Sequence, residues 1–115
     1  MGKKIVNVLG TKYKIVFGNQ KKYPELETRD GFCDSSIKRI VIDDMSESEV
    51  GFKKDLKNYQ NSVLRHEIFH AFLYESGMDC CTFSSCSWAT NEEMVDWLAI
   101  QTPKIFKVFQ NLNIL

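Results

Sequence analysis

The sequence predicts an α+β domain, with strands confined to the chain up to Ile42 and helices after it. Three observations carry this. Short β-branched and apolar runs, punctuated by glycine and small polar residues, fill the N-terminal third. From Lys53 to Ser76 apolar side chains recur every three or four positions, the period of a helix buried along one face. Beyond it, a hydroxyl residue followed three positions later by glutamate marks a further helix start. At 115 residues the chain is the size of one domain with one core, so we expect a single domain over 1–115.

In chain order, Ile5, Val6, Val8 and Leu9, then Tyr13, Ile15, Val16 and Phe17, read as a hairpin over 3–9 and 12–18 with Gly10-Thr11 between the strands. Lys21 to Asp30 is polar, contains Pro24 and has no clear period, so it reads as a loop. A second hairpin follows: Gly31 to Asp34, a turn near Ser35-Ser36, and Ile37 to Ile42. Lys38, Ile40 and Ile42 alternate imperfectly with Arg39 and Val41, which suggests a strand buried on one side at one end only. Ser46 and Glu49 have the spacing of a capping box that opens a short helical turn.

The main helix is expected from Lys53 to Ser76. Its apolar set is Leu56, Tyr59, Val63, Leu64, Ile68, Ala71 and Phe72, and Gly77 stands where a left-handed C-cap is wanted. A loop rich in cysteine and serine runs from Met78 to Ala89. Thr90, with Glu93 reaching back, then caps a helix through Val95, Leu98 and Ala99, and Thr102-Pro103 looks like the start of a last one.

Composition narrows the function. Fifteen basic and fifteen acidic side chains leave no net field that would favour nucleic acid or an anionic membrane as a partner. The apolar run near the N-terminus is too short and interrupted for a secretory signal, and no segment is long enough to span a bilayer. The expected compartment is therefore the cytoplasm, where Cys33, Cys80, Cys81 and Cys86 stay as thiols. Their spacing lacks the paired C-x-x-C of a structural zinc site.

Within the main helix lies His66-Glu67-Ile68-Phe69-His70, an H-E-x-x-H motif. Histidines four apart stack on one helix face and can reach one tetrahedral metal, and the glutamate between them can hold a water. The chain has only two histidines, and roughly one shuffled sequence in 800 would produce the motif, so coincidence is a poor account. One Zn²⁺ per chain is expected, with His66 and His70 as ligands and Glu67 as general base.

The third ligand must then be Asp, Glu or Cys. Glu92 leads, because the chain between it and His70 suffices to reverse direction and bring the next helix alongside; Glu93, Asp79 and a cysteine are the alternatives. Asp96, one turn beyond Glu92, can accept from the outer ring nitrogen of a ligand histidine and fix its tautomer.

Asn91-Glu92-Glu93-Met94-Val95-Asp96 resembles the N-E-x-x-x-D element of gluzincins, in which the glutamate binds zinc. Residues 30–105 more closely resemble the small ImmA/IrrE metallopeptidases of phages, other mobile elements and bacterial chromosomes, with Glu92, Asp96, Ala99 and Pro103 at the matching positions. Phe69 and Val95 depart from that pattern, where members often have glycine and alanine.

The resemblance implies a minimal zincin-like fold: N-terminal antiparallel hairpins, the H-E-x-x-H helix, then one or two C-terminal helices. It also implies an endopeptidase acting on a protein or peptide, such as a transcriptional repressor or other regulator. An extended substrate is expected to pair with Ile37–Ile42 as an edge strand, so Ile40 and Val41 are candidate substrate contacts. Tyr59, Arg65, Tyr74 or a lysine are candidates to stabilise the oxyanion, with Tyr74 also counted among the substrate contacts. The alternative is a zinc-stabilised binding protein on the same scaffold that sequesters its partner uncut.

Overall fold

The computed structural model describes residues 4–47, 55–80 and 87–115. Its order is β1 (Lys4–Val8), β2 (Thr11–Gly18), β3 (Gly31–Asp34), β4 (Arg39–Asp43), α1 (Leu56–Glu75) and α2 (Glu92–Asn111), with 3₁₀ turns at Pro24–Glu27 and Trp88–Thr90. The class is α+β: a four-stranded sheet followed by two helices.

Both hairpins form, but the first turns at Leu9-Gly10 instead of Gly10-Thr11, with Thr11 already paired to Val8, and the last strand begins at Arg39 instead of Ile37. Leu9 and Gly10 turn the first with φ of +52° and +92°, the two positive angles a tight primed turn requires. In the second, the Asp34 carboxylate accepts from the Ser36 amide at 3.0 Å, and Lys38 takes a left-handed φ of +56°.

The order in which the hairpins join was not visible. Strands run β1-β2-β4-β3, with β2 and β4 parallel, so the sheet is mixed rather than antiparallel throughout. This overturns the edge-strand expectation. β4 lies between β2 and β3, and Ile40, Val41 and Ile42 are all fully buried, so neither Ile40 nor Val41 can meet a substrate.

Three consecutive buried residues mean that both faces of β4 are covered. On one face Ile40 and Ile42 join Val8, Tyr13, Ile15 and Ala71, with Val63, Leu64 and Ile68 of α1 packed on them. On the other, Val41 joins Val16, Phe32, Tyr23 and Leu26. The polar stretch 21–30 is thus a cover, its two apolar side chains turned onto the sheet.

α1 starts one turn later than a propensity reading suggests, because Asp55 is its N-cap and accepts from the Asn58 amide at 3.0 Å. It ends in a Schellman motif, with Gly77 at φ +87°, Gly77 N–H donating to the Tyr74 carbonyl and Met78 N–H to that of Leu73. Polar contacts fix both ends to the sheet: Tyr59 donates to Asp30 and Gln60 to the Asp43 carbonyl, while Glu75 accepts from Tyr13 and Lys38. Phe72, expected in the core stripe, is more than a third exposed.

α2 departs from expectation twice. Asn91, not Thr90, is its N-cap and accepts from the Met94 amide at 2.9 Å; the Thr90 hydroxyl donates instead to the Ser87 carbonyl. Nor does a new helix begin at Pro103, since α2 runs through it to Asn111. Glu49 of the expected capping box, and Cys81 and Cys86, lie outside the described residues.

Candidate metal centre

α1 carries His66 and His70 on the side facing α2, and the Trp88–Thr90 turn closes the gap between the helices. The turn is tied down by the Ser87 hydroxyl, which donates to the Met78 carbonyl just past the α1 cap. That brings the Ala89 carbonyl to 2.7 Å from His70 Nδ1. On α2, Glu92 sits in the first turn and Asp96 one turn later, both on the face toward α1.

The result is a convergence of three atoms. His66 Nε2 and His70 Nε2 are 3.1 Å apart, and Glu92 Oε1 lies 3.0 Å from the first and 2.5 Å from the second. The outer ring nitrogens are taken: His66 Nδ1 is 3.2 Å from Asp96 Oδ1, and His70 Nδ1 faces the Ala89 carbonyl. A carbonyl and a carboxylate only accept, so both Nδ1 atoms donate, and in that tautomer each Nε2 is the nitrogen whose lone pair can bind a metal.

Two lone pairs and a carboxylate oxygen within about 3 Å repel one another unless a cation lies among them. A proton relieves one pair; a metal ion relieves all three. Ligands about 2.05 Å from a tetrahedral centre stand roughly 3.3 Å apart, near the 3.0 and 3.1 Å from His66 Nε2 to the other two atoms, while the 2.5 Å between His70 Nε2 and Glu92 is shorter. Among the described residues His66, His70 and Glu92 are the one such set, so the donors present fit a metal ion. Glu93 lines the cleft without joining them, and neither Asp79 nor a described cysteine belongs to the set.

Below the three atoms runs an open cleft of about 1280 Å³ between β3, α1 and α2. Glu67 lines it and is 6% exposed. Burial pushes its carboxyl up to about 7; His70 and Arg29 oppose the shift and Glu92 adds to it. Near neutrality such a group can both take and give a proton.

The three candidates for oxyanion stabilisation named by number separate. Tyr59 donates to Asp30, and Arg65 Nε donates to the Ala99 carbonyl at 2.7 Å. Tyr74, one turn beyond His70 on the same stripe, lines the cleft, with burial raising its hydroxyl pKa. Cys33 also lines the cleft from β3, and burial, reinforced by the charge of Glu67, pushes its thiol up to about 12, which suits a packed, unreactive side chain. Cys80 is an exposed thiol.

Two features had little or no signature in the sequence. The partner of His70 is a backbone carbonyl, which any residue at position 89 would supply. Arg65, though in the motif's own helix, gave no hint of a bond to α2. No described helix is long and apolar enough to cross a membrane. Comparison with family models, curated proteins and solved structures finds no match to this chain.

Proposed function

We propose that this chain is a zinc-dependent endopeptidase of the ImmA/IrrE type on a minimal zincin-like scaffold, cutting a protein substrate such as a repressor or other regulator in the cytoplasm. The observation that carries the reading is the convergence of two histidine Nε2 lone pairs and the Glu92 carboxylate, above a cleft lined by a buried glutamate.

His66, His70 and Glu92 are the metal ligands. Asp96 and the Ala89 carbonyl hold the two imidazoles in the tautomer that leaves Nε2 free. Zinc bound there would supply a Lewis acid for the scissile carbonyl and lower the pKa of a water. Glu67 takes the proton of the attacking water as oxygen bonds to the carbonyl carbon, then delivers it to the amine as the C–N bond breaks. Tyr74, which lines the cleft, is the candidate donor to the developing oxyanion.

The substrate strand is reassigned. β3 has β4 on one side and no described strand on the other, and Gly31 to Cys33 line the cleft, so β3 is the edge an extended peptide would join. Gly31 permits this layout. A Cβ there would lie 2.9 Å from Val63 and 3.1 Å from the Val41 carbonyl, so its absence lets β3 approach α1.

The test is proteolysis of a library of unstructured peptides by zinc-loaded protein, beside Glu67→Gln. Cleavage by the wild type and its loss in a variant that still binds zinc supports the reading. A wild-type chain that binds zinc and cuts nothing, yet captures a partner equally well with Gln at position 67, favours the sequestering protein instead.

A further inference from the structure

Pro103 lies within α2 and has no amide hydrogen, so the carbonyl four residues earlier, that of Ala99, cannot make its helical bond to that position. That carbonyl sits on the buried face of the helix, since Ala99 is fully buried, and leaving it without a donor would be costly. Arg65 of α1 fills the position. Its Nε lies 2.7 Å from the Ala99 oxygen, a charge-assisted bond between the helices.

The bond falls beside the candidate metal centre on both helices. Arg65 directly precedes His66, and Ala99 is one turn after Asp96 and two after Glu92. The side chains of Glu92 and Asp96 are 73% and 60% exposed, so little around them restrains their carboxylates. What brings them to the imidazoles is the alignment of one helix on the other. A slide of one residue, about 1.5 Å along the axis, would break contacts of 2.5–3.2 Å. Apolar packing through Val95 and Ala99 holds the helices together, but it is non-directional and tolerates such a slide more readily than a hydrogen bond does.

We propose that Arg65 is a positioning residue: by donating to the carbonyl that Pro103 leaves without a helical partner, it sets the register of α2 on α1 and so places Glu92 and Asp96 at the two histidines. The inference rests on the metal-centre reading given above. It adds that the proline and the arginine are one device. The proline opens an acceptor on the buried face of α2, and the arginine uses it as the point of attachment.

The experiment is a cycle of four chains: wild type, Arg65→Met, Pro103→Ala and the double variant. Methionine keeps most of the arginine stem's packing and removes the donor, while alanine at 103 restores the amide that can bond Ala99 within the helix. Zinc affinity is read by competition with a chromophoric chelator, ligand geometry by the visible spectrum of the Co²⁺ form, and folding by far-UV circular dichroism of the metal-free chains.

Arg65→Met is expected to weaken zinc binding by about tenfold, as loss of a partner supporting a ligand does, and to alter the Co²⁺ spectrum while the chain stays folded. Pro103→Ala is expected to weaken zinc binding too, by up to about tenfold, because the restored amide competes for the acceptor that Arg65 uses. The double variant is expected to bind no more weakly than Arg65→Met, since both substitutions remove the same attachment. Wild-type zinc binding by Arg65→Met overturns the positioning role while leaving the metal centre standing. Wild-type affinity in Pro103→Ala, or a double variant whose loss is the sum of the two single losses, overturns the pairing with Pro103, and a double variant restored to wild-type affinity overturns the positioning role. Failure of the wild type to bind zinc or Co²⁺ overturns the metal-centre reading itself, and the positioning role with it.

Discussion

The two halves of α2 differ in almost everything except being helical. Before Pro103 the helix lies on α1, with Val95 and Ala99 fully buried and Glu92 and Asp96 aimed at the histidines. After it, Phe106, Val108, Phe109 and Leu112 are 40–63% exposed, and only Ile105 is half-buried among the residues that follow Pro103. Apolar content is high in both, so hydrophobicity does not distinguish them. What distinguishes them is whether a second element lies within reach, and only the first half has α1 beside it. The site is therefore carried by the half whose buried face a neighbouring helix holds.

If so, substitutions should matter in proportion to how far they reach into that contact. The largest effect is expected at Glu67, on the α1 side of the cleft. Its carboxyl titrates near 7 in the folded chain against an ordinary 4.5, so below the lower value both states are protonated and burial costs nothing. Between the two the unfolded chain releases its proton first, and stability falls as pH rises; above 7 the full cost is present. Glu67→Gln should therefore stabilise the metal-free protein by at most about 3 kcal/mol near pH 8 and by almost nothing near pH 4, measured by urea unfolding at both.

Next comes Ala99→Leu, which forces a large side chain into the fully buried helix contact. It should cost about 2 kcal/mol in a thermal melt and weaken zinc binding, because α2 is pushed away from the histidines. Asp96→Asn should leave stability within about 0.5 kcal/mol of wild type, since its side chain is mostly exposed. It should nonetheless weaken zinc by about tenfold in a chelator titration, through a less firmly held His66.

The smallest effects are expected beyond the proline. Phe109→Gln and Leu112→Gln should each change stability by less than about 0.5 kcal/mol and leave zinc affinity unaltered. A large loss of affinity from either would break the contrast between the two halves.

The same contrast explains what could be read from the sequence. The H-E-x-x-H helix and the pairing of Glu92 with Asp96 were legible because helical spacing alone decides which side chains share a face. Strand order was not. Periodicity says which way Ile40 and Val41 point but not which strand lies beside them, and here the 21–30 stretch covers the face that a single-layer reading leaves open. Pro103 misled for a related reason. A proline normally ends a helix because its lost hydrogen bond has no substitute, whereas here Arg65 serves the freed carbonyl, and the Thr102 hydroxyl donates to the Leu98 carbonyl one residue earlier. Ala89 contributes through its backbone oxygen, so no residue type could announce it.

The central claim is that His66, His70 and Glu92 together hold one metal ion, and elemental analysis of untagged protein tests it most directly, with wild type and Glu92→Ala prepared side by side. The account predicts one zinc per chain in the wild type and little or none in the variant after identical dialysis. A wild-type chain that carries no zinc and cannot be loaded with it, or a variant that retains zinc at full stoichiometry and affinity, would contradict it.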